Sequence, residues 1–134
     1  MALVFPNVGE QIALEALVNK TAPQTLMLRL YSNDYTCVEG STHTNFTEVS
    51  GGGYAAISLT PGTWNAATLG DPTYITYPEQ TFTFTSVPGI ATVYGYFLTQ
   101  TSSGTLVWAE RFATLITIVN AGDAIKLTPR IEAS

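Results

Sequence analysis

The apolar positions change their period once along the chain. Over residues 8–18 they recur at helical spacing and place Ile12, Ala13, Ala16 and Leu17 on one face. Asn7 stands before this stretch with Glu10 three residues on, the spacing of a capping box, and Glu10 and Glu15 favour the positive end of a helix. So short a helix is marginal in water and needs a surface to pack on.

Beyond Pro23 the period becomes two, with turn residues between the apolar runs, and strands are expected almost to the C-terminus. Residues 25–31 alternate Leu26, Leu28 and Leu30 against Met27, Arg29 and Tyr31. Residues 39–53 are polar and end in Gly51-Gly52-Gly53, so they read as a loop with at most a short strand at 46–49. Alternation resumes over 54–60, and after Pro61-Gly62 a long connection spans 64–72. Residues 73–77 and 81–85 form two strands separated by Pro78, which cannot donate to a ladder. Residues 92–99 and 105–118, joined by Gln100-Thr101-Ser102-Ser103-Gly104, predict an antiparallel hairpin. A last strand covers 124–131 around Pro129.

Seven to nine short strands with regular turns and a long crossing predict a mostly β fold. The expected form is an antiparallel β-sandwich, jelly-roll or Greek-key like, with a short N-terminal helix; a closed barrel is the alternative. The chain then divides into an N-terminal arm, 1–24, carrying the helix, and a β-sandwich domain, 25–134.

The alternation also assigns faces. Phe82 and Phe84 belong in a core, and Tyr94, Tyr96 and Trp108 lie in strands where core or cross-strand packing is expected. Neighbours Glu110 and Arg111 must point to opposite sides. A charge turned inward needs a partner, and Arg29 with Glu110 is the pairing that suggests itself. Trp64, on a connection, is the aromatic best placed to touch a partner or to stack on a sugar ring.

Composition narrows the function. At 134 residues one core suffices, and 46% apolar residues exclude intrinsic disorder. Only 11% of residues are charged, so Thr, Ser, Asn, Gln and Gly must make up most of the outside, a surface cheap to desolvate against neighbours. The net charge is -5 and the five basic residues, Lys20, Arg29, Arg111, Lys126 and Arg130, are scattered, so neither nucleic acid nor a membrane surface is an expected partner. No apolar run reaches the about 20 residues that span a bilayer. The opening Met1-Ala-Leu-Val-Phe-Pro6 does not read as a secretory signal, and a lone Cys37 agrees with a reducing compartment.

No catalytic apparatus, metal site or cofactor site is expected. His43 is the single histidine, which rules out multi-imidazole zinc sites within one chain, and its surroundings carry no nucleophile signature. The acids sit mostly in turns without a signature, and Gly51-Gly52-Gly53 lacks the Lys and Ser/Thr of a phosphate loop.

Six stretches together resemble small virion structural proteins of tailed bacteriophages. They are Leu28-Arg29-Leu30-Tyr31-Ser32-Asn33, Phe46-Thr47-Glu48, Gly53-Tyr54, Phe82-Thr83-Phe84-Thr85, Val93-Tyr94-Gly95-Tyr96 and Leu106-Val107-Trp108-Ala109-Glu110-Arg111-Phe112. The likeness covers most of the chain after residue 25, through packing motifs. It implies a capsid decoration or cement protein, a homotrimer made in the host cytoplasm and seated on the virion surface against the major capsid protein. A tail or baseplate component and a carbohydrate-binding β-sandwich module are the alternatives. The residues expected at an interface are Leu3, Phe5, Ile12, Leu17 and Trp64.

Overall fold

The computed structural model describes residues 5–18, 20, 22 and 24–133. It is mostly β, with one short helix and antiparallel sheets that do not close into a barrel. The helix α1 spans Asn7–Leu17, and eight strands follow: β1 Leu26–Tyr31, β2 Ile57–Leu59, β3 Thr73–Thr76, β4 Gln80–Thr83, β5 Thr92–Gln100, β6 Leu106–Thr117, β7 Ala124–Leu127 and β8 Arg130–Ala133.

Strands β2-β1-β5-β6, in that order, form a four-stranded sheet. The hairpin expected from the Ser/Gly loop is present as β5 and β6, paired antiparallel, with Leu98 opposite Trp108 and Tyr96 opposite Glu110. Gly95 lets this hairpin close on its neighbour. A Cβ there would collide with the carbonyl oxygen of Glu110 and stand 2.8 Å from the Tyr31 ring.

The pairs β3-β8 and β4-β7 follow one another along a single ribbon. Hydrogen bonds carry the pairing past the named strands, from Tyr77 N–H to Pro129 O at 3.0 Å and from Phe84 N–H to Asp123 O at 2.9 Å. Between the pairs Thr76–Arg130 and Gln80–Leu127 one strand advances four residues and the other three. The extra residue falls beside Pro78, as a bulge expects. It keeps Tyr77 on the same side as Phe82, although their positions differ in parity. The strand expected over 124–131 is split for the same reason, because Pro129 has no N–H to donate.

Strand β2 is shorter than the alternation over 54–60 suggests. Residues 47–49 lie along β1 first, with Val49 N–H donating to Leu30 O at 3.0 Å and Glu48 bridging Tyr31, and the chain then leaves the sheet and returns as β2 opposite Leu26 to Leu28. Gly51, Gly52 and Gly53, all at positive φ, make the excursion. The Gly52 carbonyl accepts the N–H of Thr85 at 2.9 Å, and a Cβ on Gly52 would stand 2.6 Å from the Ser86 carbonyl oxygen. The excursion therefore ties the sheet to the ribbon at a point where only glycine fits.

The two faces of the four-stranded sheet are covered differently. One carries Leu28, Leu30, Val93, Tyr96, Leu98 and Trp108, which meet Phe82, Phe84, Ile125 and Leu127 of the ribbon in the main core. The other carries Tyr31, Phe97 and Ala109, covered by Cys37 and Phe46 from the connection after β1. Phe46 stacks on Phe97 at 5.0 Å and meets Tyr31 edge-on at 4.9 Å.

The helix differs from expectation in its cap, and only Ile12 of its expected apolar face is turned inward. Pro6 is the N-cap and Asn7 is the first helical residue, with its N–H donated to the Glu39 carbonyl at 2.9 Å, so no capping box with Glu10 forms. Ala13, Ala16 and Leu17 face outward; the inward positions are Phe5, Val8, Gly9 and Ile12. Gly9 decides this, since a Cβ there would collide with the Val107 carbonyl oxygen, and its absence lets α1 press against β6.

Candidate functional site

Four of the five expected interface positions, Phe5, Ile12, Leu17 and Trp64, are among the described residues. Leu3 lies outside the described residues. Phe5 meets Trp108 edge-on at 5.4 Å, and Ile12, on the same side of α1, is half-buried against the same core. Trp64 is half-buried in the connection before β3, edge-on to Tyr77 at 5.1 Å. Leu17 is 77% exposed. The structure thus brings Phe5 and Ile12 together on the inner side of α1 and leaves Leu17 and Trp64 apart from them.

Leu17 has outward neighbours that the sequence pattern did not single out. Leu14 is 64% exposed and Val18 71%, and at spacings of three and four residues the three side chains form one apolar patch on the solvent side of α1. A second group, Val87, Ile90, Leu115 and Val119, is exposed at the end of the molecule where the approach to β5 meets the exit of β6, joined by Ile118 N–H to Ala91 O at 2.9 Å. The helical signal for the first patch was in the sequence. The expected apolar face shares Leu17 with this patch but not Leu14 or Val18, because a run of apolar positions does not say which side packs.

Charges near these surfaces are largely engaged. Arg29 Nη1 lies 3.0 Å from Glu48 Oε1, Arg111 2.6 Å from Asp34 and Arg130 2.7 Å from Glu132, and Lys20 stands 3.9 Å from Glu15. Arg111 also lies over the Tyr94 ring, and Arg130 over Tyr74, at 5.2 and 3.7 Å from the ring centroids. Among the described residues no group of three or more His, Cys, Asp and Glu gathers in metal-binding reach, and no helix is long and apolar enough to cross a membrane.

The expected pairing of Arg29 with Glu110 does not form. Arg29 is opposite Phe97 on the loop-covered face, whereas Glu110 is opposite Tyr96 on the ribbon-covered face, so the sheet itself separates them. Arg29 instead donates from Nη1 to both Glu48 oxygens, at 3.0 and 3.1 Å, and from Nε to Thr99 Oγ1 at 3.0 Å. Tyr54 completes this network: its hydroxyl accepts the Leu30 N–H at 3.0 Å and donates to Glu48 Oε2 at 2.7 Å. Burial drives the Tyr54 phenol well above its ordinary pKa, so it remains a donor.

Glu110 has its own network. The Tyr96 hydroxyl accepts the Arg130 N–H at 3.1 Å, and its one proton serves either Glu110 Oε2 at 3.2 Å or the Arg130 carbonyl at 3.1 Å. Burial first, and then the charge of Glu132, raise the Glu110 pKa; the Tyr96 hydrogen bond and Arg130 oppose them. His43 is exposed in a short 3₁₀ turn, His43–Asn45, preceded by Thr42, whose N–H bonds Asn45 Oδ1 at 2.9 Å. No nucleophile and base pair is formed around it by the hydrogen bonds of the described residues.

No family model, no curated protein and no solved structure matches the chain.

Proposed function

We propose that this chain acts by docking and not by catalysis, as a structural subunit of a tailed-phage particle. In this reading it is a β-sandwich decoration or cement protein, trimeric, that binds the major capsid protein on the outside of an assembled shell. The observation that carries the docking part is the outer side of α1: Gly9, Phe5 and Ile12 anchor the helix, while Leu14, Leu17 and Val18 point away from the protein's own core. An apolar patch held on an anchored helix suits contact with another protein. The phage part rests on the six sequence stretches that resemble virion proteins.

The mechanism is mass action. A protein that binds the assembled shell and not its parts adds its binding free energy to the shell's stability. A trimer that engages three sites at once multiplies a modest contact, by about 10²–10⁴ in effective affinity.

Sedimentation of the purified chain and rebinding to shells that lack it provide the test. The expected result is a trimer that rebinds and raises the temperature at which shells open, with Leu17→Glu abolishing rebinding while the monomer fold persists. A monomer that ignores such shells overturns the proposal. Rebinding to isolated tails, located by labelled antibody, would move the protein to the tail.

A further inference from the structure

The polar cluster around Glu110 lies where the final strand meets the four-stranded sheet. We propose that β8 is a pH-sensitive latch: ionisation of Glu110 loosens β8 and its partner β3 from the sheet, while the sheet itself stays folded.

The cluster holds two acids against one cation, and its hydrogen bonds are incomplete. Facing Glu110 are Tyr96 of β5 and Arg130 and Glu132 of β8, with Tyr74 of β3 behind the Arg130 guanidinium. Arg130 Nε stands 2.7 Å from Glu132 Oε1, yet its N–H is buried and not aligned for a hydrogen bond. The Trp108 indole N–H, on the same side of β6 as Glu110, lies towards the Tyr96 hydroxyl and is buried without a partner among the described residues. Glu110 receives the one Tyr96 proton at 3.2 Å, and the Arg130 carbonyl draws on that proton too, at 3.1 Å. A network left partly unsatisfied in a low dielectric is a weak point of a fold. A half-buried carboxylate with one shared donor and a second carboxylate near it is held more readily as the acid. Burial first, and then Glu132, raise its pKa, against the Tyr96 hydrogen bond and Arg130. Tyr96 itself stays protonated, because burial drives its phenol far above the ordinary value.

The position of the cluster decides which part gives way. Strand β8 pairs with β3 alone, both are four residues long, and their residues are half-buried or exposed. Tyr96 and Glu110 instead sit on β5 and β6, inside a sheet that carries the main core. Elements with few buried contacts open before the rest. Lifting β8 takes Glu132 away from Glu110 and lets water reach the Glu110 carboxyl and the unmatched Trp108 and Arg130 N–H groups. The latch is therefore firmest below the pKa that Glu110 has when β8 is open, and it loosens as pH rises through the higher value of the closed form. It does not rest on the docking patch of α1.

Native-state hydrogen exchange of the full chain, followed residue by residue by NMR at low urea and corrected for the intrinsic pH dependence of exchange, tests the latch. At neutral pH the amides of β8 and β3 are expected to exchange at least about tenfold faster than those of β5 and β6. Acidification should slow them by up to about tenfold for each unit by which the closed form raises the Glu110 pKa. Glu110→Gln should hold β8 and β3 at their slow, acidic rate throughout. Glu132→Gln, which removes the second carboxylate and frees Arg130 for Glu110, should shrink the pH response. Three results would each overturn the proposal: β8 amides as well protected at neutral pH as those of β5 and β6, a parent pH response that survives in Glu110→Gln, or protection that is flat or rises with pH.

Discussion

The two faces of the four-stranded sheet are built from the same strands and closed by different means. The ribbon-covered face is shut by strands, with Phe82, Phe84, Ile125 and Leu127 laid across Leu28, Leu30 and Leu98. The other is shut by the connection after β1, whose Phe46 and Cys37 cover Tyr31 and Phe97 and leave the Arg29 cleft beside them. Strands supply side chains at fixed intervals and fill a face densely. A connecting segment covers with a few large rings, and the gaps it leaves are where polar groups such as Arg29 and Thr99 reside.

That contrast can be broken by truncating one ring on each side. Phe84→Ala should cost about 3–5 kcal/mol in urea unfolding, because the ribbon is held at both ends and cannot collapse into the gap. Phe46→Ala should cost roughly 1–2 kcal/mol less, since the covering segment can settle inward. Equal losses would mean that the connection is as rigid as the strands. Tyr54→Phe should cost about 1–3 kcal/mol, because it leaves the Leu30 N–H without its acceptor and takes a donor from Glu48. A neutral effect would show that water replaces the hydroxyl there.

The smallest effect is a pH dependence. The folded protein holds the Glu110 proton more tightly than the unfolded chain does, because burial and Glu132 raise its pKa. The contribution is therefore fully present below the unfolded carboxylate pKa, and it is lost as pH rises through the raised folded value. Glu110→Gln should be more stable than the parent at neutral pH, and the gap should close on acidification. A gap that widens on acidification instead would reverse the assignment.

The strand pattern was readable because period two is a local signal. The β5-β6 hairpin, the buried Phe82 and Phe84, and the opposite facing of Glu110 and Arg111 all follow from it. The helix was readable as an element but not in its orientation. Gly9 contributes no hydrophobicity, yet its missing Cβ sets which side of α1 meets β6. Arg29 was matched to the wrong acid for a related reason: alternation within a strand gives relative facing, and only the register of β1 on β5 and β6 shows that Arg29 and Glu110 lie on opposite sides. The cleft could not be read at all, since His43, Glu48, Thr99 and Gly104 come from segments with no common periodicity.

The glycine excursion has a consequence for how this region tolerates change. Between the bridge Tyr31–Glu48 and the pair Leu28–Ile57, β1 advances three residues while the facing chain advances nine, so the excursion inserts six. Val49 before it and Leu59 after it are buried in the same core, because each segment is set by its own pairing with β1. Because residues 50–56 lie outside the strands, an inserted residue there is taken up by the excursion, and β2 keeps Leu59 buried and Ser58 outward. Added length is thus admitted beside Gly52, whose carbonyl holds Thr85, and not at it.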